Sequence, residues 1–189
     1  MDATTIVVIA VIAVLVLWTA LSYNRLVRKS TQADSAWANI DTNLRRRADL
    51  IPNLVETVKG YASHESSTLQ QVTEARTKAR AAQDGASSTS ERVAAEQEVS
   101  QALANINALS ESYPELKADQ NFRQLQDELA NTENKVAYSR QAYNDAIRRY
   151  ENARRRFPTV LIASRFGFGE REYFDEVTDE QRQAPDVSF

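Results

Sequence analysis

Candidate chemistry in this chain starts with what is scarce. His64 is the one histidine and cysteine is absent. A metal site would therefore lack the second and third nitrogen or sulfur ligands it needs, and thiol chemistry is excluded. A Ser-His-Asp relay would have to rest on His64 alone, at the start of an expected helix and with no serine in a strand-to-helix elbow. Gly60, Gly85, Gly167 and Gly169 are too isolated to cradle a phosphate. The chain is read as non-enzymatic: no residue is assigned as catalytic, cofactor-binding or metal-ligating, and no cofactor is expected.

The residues that do invite explanation are charged. Arg47 falls in a core-facing helical phase, where an unpaired guanidinium would be prohibitive, so it must snorkel or meet a carboxylate. Glu133 is the candidate partner, with Glu128 second; Glu133 and Arg140, seven apart, share one helix face. Such a buried pair, Arg47 with Glu133, would fix register. Tyr138, Tyr143 and Tyr150 read first as core residues with wet hydroxyls. A second group is basic: Arg148, Arg149, Arg154, Arg155 and Arg156, with Glu151 the single acid between Asp145 and the end of their helix.

These side chains need long helices to hold them. Positions 26, 30, 33, 37, 40, 44, 47, 51, 54, 58 and 61 keep an unbroken spacing of four and three and form a mainly apolar stripe, interrupted by Ser30 and Arg47. Pro52 lies inside it and predicts a kink. Gly60 then offers a stop and Ser63 a cap for a second helix with Leu69, Val72, Ala75, Ala79 and Ala82. Residues 83–90 read as an exposed loop. Ser90 is expected to cap a third helix with Val99, Leu103, Ile106 and Tyr113, ended by Pro114. Asp119 opens the fourth, whose stripe runs from Phe122 to Phe157. Four Gly and four Pro in 189 residues suit a few long helices and not the many turns of an all-β chain.

Upstream, the 16 residues Ile6–Leu21, including Leu15 and Trp18, are apolar on every side apart from Thr19. With Thr4, Thr5 and Ser22 they approach the roughly 20 residues that a bilayer core about 30 Å thick requires. The rest of the chain must be polar, since mean hydropathy is −0.51 with this run included. A cleaved signal peptide would want a basic start and a small-residue cleavage site; the chain starts Met1, Asp2, and Ala20 and Ser22 make a marginal site, which favours an uncleaved anchor. Arg25, Arg28 and Lys29 follow the run, so the body is expected in the cytoplasm and the N-terminus outside. The expected fold class is all-α, an N-terminal transmembrane helix and then an antiparallel up-and-down bundle of four helices, the first long and kinked at Pro52. The expected domains are an anchor at 1–24, the bundle at 25–158, and an aromatic segment with an acidic tail at 159–189.

An even number of passes would return the fourth helix to the membrane. Arg154, Arg155 and Arg156 would then join Arg25, Arg28 and Lys29 in a basic collar facing anionic lipid, or simply complement the helix dipole; both readings stand. The apolar residues from Val160 to Phe174 either fold back over the bundle end, the favoured reading, or enter the headgroup region. Seven acids from Glu170 onward suggest a solvated, disordered tail. A net charge of −3 gives no global attraction to nucleic acid, and none is expected as a partner.

Three stretches now carry a resemblance. DLIPNLVETVKGYASHE at 49–65, YPELKADQNFRQLQDELANTENKVAYSRQAYNDAI at 113–147 and FPTVLIASRFGFGEREYF at 157–174 are similar, in order, to the bacterial LemA family. The anchor and YNRLV at 23–27 resemble it too. Glu151 departs from it, since a second Tyr-Asn pair is common there. The resemblance implies a single-pass protein of the bacterial inner (cytoplasmic) membrane, N-terminus outside, with a cytoplasmic helical bundle. It supplies no catalytic residues, because the family has no established biochemical activity. The leading functional expectation is a membrane-anchored interaction or scaffold protein with membrane lipids and protein partners, or a second copy of itself, as company. The alternatives are a membrane-shaping or lipid-organising protein and, from the company this family keeps, an adaptor for a membrane protease complex.

Overall fold

The computed structural model describes residues 2–85 and 87–174. Among them every regular element is a helix: α1 Ala3–Tyr61, α2 Ser66–Asp84, α3 Thr89–Ser110, α4 Pro114–Ala118, α5 Gln120–Arg155 and α6 Thr159–Arg165. Short α4 and α6 are additions to the four helices expected. The acidic tail beyond Phe174 lies outside the described residues.

Helix α1 runs through Pro52 without a break over 59 residues. Pro52 is exposed there, while Ile51, Leu54 and Val58 are buried, so its ring sits on the face where a missing N–H is least costly. The stripe is realised from Leu26 to Val58, with Ala33, Ile40, Leu44, Arg47, Ile51 and Leu54 buried. At its end Tyr61 is exposed and Ala62, just past the helix, takes the buried place.

Several boundaries differ from the sequence expectation: Gln83 and Asp84, expected in an exposed loop, extend α2 with Gln83 buried, and α3 ends at Ser110, ahead of Pro114. Helix α2 begins at Ser66 behind Glu65, without a side-chain cap, instead of at Ser63. Helix α3 is capped by Ser88 and not by Ser90: the Ser88 hydroxyl accepts from Glu91 N–H at 3.2 Å and the Glu91 carboxylate accepts from Ser88 N–H at 2.8 Å. Ser88 wins because it has the acid three residues on that a reciprocal cap requires, whereas Ser90 has Val93. Helix α5 stops at Arg155, so Phe157 lies beyond it and is exposed. Asp119 does cap α5, accepting from Phe122 N–H at 2.8 Å.

The described residues form two compact units, 2–38 with Ala142–Tyr173, and 39–85 and 87–141 with Phe174. Helices α1 and α5 each contribute residues to both units. In the second unit, hydrogen bonds set the register. Asn43 reaches Ser139 and Tyr61 reaches Asp119, so α1 and α5 are antiparallel. Arg45 meets Asp84 and Arg76 meets the Ala48 carbonyl, so α1 and α2 are antiparallel as well. Ile51, Leu54, Val58, Leu69, Val72, Val99, Ile106, Phe122 and Leu129 share one apolar core.

The first unit holds the apolar run. None of an 18-residue window of α1 is buried, and α1 is the one described helix long and apolar enough to cross a membrane. Beyond the run, Leu26 packs with Ile162 and Ala163 of α6, joined by Trp18, Ala153 and Phe168. Helix α6 closes on Gly167 (φ 75°), with Phe168 N–H donating to the Ala163 carbonyl at 3.0 Å. That left-handed turn suits glycine and sends Phe168 back onto the cluster.

Candidate functional site

Two places concentrate polar side chains, one in each unit. In the second, Arg47 is the centre of a buried polar layer. Its Nη1 donates to Glu133 Oε2 and, at 3.1 Å, to Ser100 Oγ. Its Nη2 donates to the Glu96 carboxylate and, at 3.2 Å, to the Glu96 carbonyl. Gln83 Nε2 donates to the other Glu96 oxygen at 2.9 Å. The Arg47 and Glu96 side chains are 1% and 4% exposed, whereas Glu133 is 48% exposed. Glu133 is thus the wet partner and Glu96 the buried one. Sequence reasoning named Glu133 and missed Glu96, Ser100 and Gln83. The signal was there: stepping back by three from Val99, in the stripe of α3, lands on Glu96. The second candidate, Glu128, accepts the Thr132 hydroxyl at its backbone carbonyl, 2.8 Å away. Arg140 stacks over the Phe174 ring at 5.1 Å.

In the first unit the C-terminal segment folds back on α1 and α5. Tyr150 OH donates to the Gly169 carbonyl at 2.8 Å and Tyr143 OH to the Glu172 carbonyl at 2.9 Å. Burial pushes both phenols above the usual tyrosine range although Arg171 pulls the other way, so both remain protonated donors. Arg171 lies over the Tyr150 ring at 5.4 Å, pairs with Asp34 and donates to Ser30 Oγ at 2.9 Å. Ser30 therefore has a partner in its core-facing phase. Tyr138 differs from the other two tyrosines: it is exposed.

The six basic residues of the expected collar part company. Arg154 and Arg155 are held by Glu151, Arg154 at 2.7 Å, and Arg155 also pairs with Glu170. Arg25, Lys29 and Arg156 instead line one cleft, together with Arg149. Arg28 is exposed and outside that lining. Of the aromatic residues near the run, Phe166 lines a mainly apolar groove with Leu15, Val16, Thr19, Ala20 and Tyr23. His64 is exposed. No group of three metal-ligating side chains occurs among the described residues.

An exposed, bilayer-length apolar run leading into helices sealed by hydrogen-bonded tyrosines and a buried arginine defines a class: a membrane-associated, all-helical protein. The family model for LemA matches residues 36–189, and the chain belongs to the LemA family. It is also similar to two magnetosome proteins of Paramagnetospirillum magneticum, MamQ 1 and MamQ 2, each 26% identical over 89% of this chain and 69% of the relative. Magnetosome protein MamQ of Magnetospirillum gryphiswaldense is 24% identical over 82% of this chain and 65% of its own length.

Proposed function

We propose that this protein is a non-catalytic, single-pass scaffold that holds a helical body beneath the bacterial cytoplasmic membrane, with the start of α1 outside. The observation that carries the reading is α1 itself, one helix whose surface is bare and apolar over its first turns and striped and core-forming from Leu26 onward. A helix uninterrupted between the two regions ties the body to the bilayer without a flexible linker. Arg25, Arg28 and Lys29 at the exit of the run favour a cytoplasmic body. The polar layers at Arg47 and Arg171 support the non-catalytic part, because their hydrogen bonds are spent on holding helices in register.

The test is topology together with partner capture in intact cells. Protease added outside spheroplasts is expected to leave the residues after Lys29 intact, and a photo-crosslinker at exposed Tyr138 is expected to give a discrete protein adduct. Digestion of the body from outside reverses the orientation. Absence of any adduct from Tyr138 and from other exposed α5 positions removes the scaffold role.

A further inference from the structure

The cleft of the first unit has a volume of about 230 Å³ and is lined by Arg25, Lys29, Arg149 and Arg156, with Asn152 and Thr159 supplying neutral polar groups. No carboxylate lines it. Among the described residues no ion pair reaches any of the four cations, whereas neighbouring Arg148, Arg154 and Arg155 are each tied to Asp145, Glu151 or Glu170. Four like charges around so small a volume repel one another, and an anion between them would reverse the sign of that interaction. We infer that this cleft binds a phosphate-bearing anion, and that the anion is the headgroup of an acidic phospholipid.

Position along α1 selects the lipid over a free ion, and here the inference rests on the reading of residues 6–21 as a span. Arg25 is four residues past Leu21 and Lys29 eight, which is roughly 6 and 12 Å of helix. The headgroup layer on each side of the hydrocarbon is about 5–8 Å deep. Helical side chains lean toward the N-terminus, which brings both cations back to phosphate level. Phe166 gives an independent marker of depth. It lies in the groove with Leu15, Val16 and Thr19, and more than half of its surface is open. An aromatic ring in that position belongs at the boundary of hydrocarbon and headgroup.

Arginine and lysine also divide the work chemically. The guanidinium groups of Arg25, Arg149 and Arg156 can each clamp two phosphate oxygens, and the Lys29 ammonium acts as a point charge.

The experiment uses the full-length protein in nanodiscs of phosphatidylcholine with and without phosphatidylglycerol, followed by native mass spectrometry of retained lipid. Wild type is expected to retain phosphatidylglycerol selectively. The variant Lys29→Gln/Arg149→Gln/Arg156→Gln is expected to lose it, roughly fivefold for each cation removed. Arg148→Gln/Arg154→Gln/Arg155→Gln, equal in charge but outside the cleft, is expected to retain it. Single Lys29→Gln guards against misfolding of the triple variant and is expected to show one such step. Equal losses in the two triple variants would reduce the cleft to a diffuse charge effect and overturn the site. Unchanged retention in the cleft variants overturns it as well. Displacement of the lipid by inorganic phosphate at matched concentration would overturn the lipid as source. Release of wild type from membranes by alkaline carbonate would sink the anchor reading, whereas an anchored protein indifferent to phosphatidylglycerol sinks this inference alone.

Discussion

Arg47 of α1 and Glu96 of α3 form an ion pair with both side chains withdrawn from water, and Glu96 meets the guanidinium twice, through its carboxylate and through its own carbonyl. Taking both charges out of water is costly, and the pair offsets that cost only while both members are present. Arg47→Met and Glu96→Leu are each expected to cost about 3–5 kcal/mol, because each strands one buried charge. The double variant should cost much less than the sum, read from denaturant unfolding. Glu133→Leu should cost no more than about 1 kcal/mol, since its carboxylate is half in water. Additive effects of Arg47 and Glu96 would show that the pair carries no coupling.

Pro52 sits on the outer face of an unbroken helix. Pro52→Ala is expected to restore a backbone donor and raise stability, with an upper bound near the roughly 3 kcal/mol that separates proline from alanine in helix interiors. Thermal unfolding is the measurement, and a fall in the midpoint would mean that the proline itself is needed at this position of α1.

Two helix starts make the fold sensitive to acid. The Phe122 N–H, and then the Tyr61 hydroxyl, hold the Asp119 carboxyl below its usual range; the Ser88 N–H and hydroxyl do the same for Glu91. A carboxyl whose folded pKa is depressed stabilises fully above its unfolded value, near 4, and that contribution is lost as pH falls through the folded value. Stability should therefore be flat between pH 5 and 7 as far as these two groups decide it. It should drop below about 4. In Asp119→Asn and Glu91→Gln the acid limb of the unfolding curve should be shallower, and an unchanged limb would refute the assignment.

Tyr150→Phe removes the donor to the Gly169 carbonyl and leaves the ring in place. A loss of about 1 kcal/mol is expected for that bond, with a further penalty if the carbonyl is left dry. Hydrogen exchange at residues 168–172 should speed up if the hydroxyl pins this segment. Unchanged exchange would mean that the remaining ties of this segment, from Tyr143, Arg155 and Arg171, hold it without the Tyr150 hydroxyl.

How much of this was readable depends on what kind of signal a residue leaves. The stripes of α1 and α5 were legible because burial at fixed spacing imposes apolar residues, and Leu26, Ile40, Ile51, Phe122 and Val136 are buried as their phase requires. Ser88 was overlooked because the run Ser87, Ser88, Thr89, Ser90 offers several oxygens, and only the acid at Glu91 chooses among them. Glu96 and Gln83 were hidden by their polarity: an apolar pattern search discards the very residues that a buried arginine selects. The cleft had no linear signature. Arg149 and Arg156 are separated from Arg25 and Lys29 by more than a hundred residues, and nothing in the run of arginines from 148 to 156 told which would be neutralised by Glu151 and which left to meet an anion.

The order in which the chain is made gives the buried arginine a history. Residues 83–96 emerge soon after α1, so Glu96 and Gln83 can join Arg47 while α5 does not yet exist, and the α2–α3 pairing, built from contacts such as Lys78 with Glu98, closes through a short loop. Helix α5 arrives after them and carries Phe122, Leu129 and Val136 to a seam that has until then been open to water. A nascent chain stalled with Glu96 outside the exit tunnel and residue 120 still inside it would carry an apolar trough with a charged pair already set beside it, and chaperone occupancy should be lower on longer stalled chains from which Glu133 has emerged.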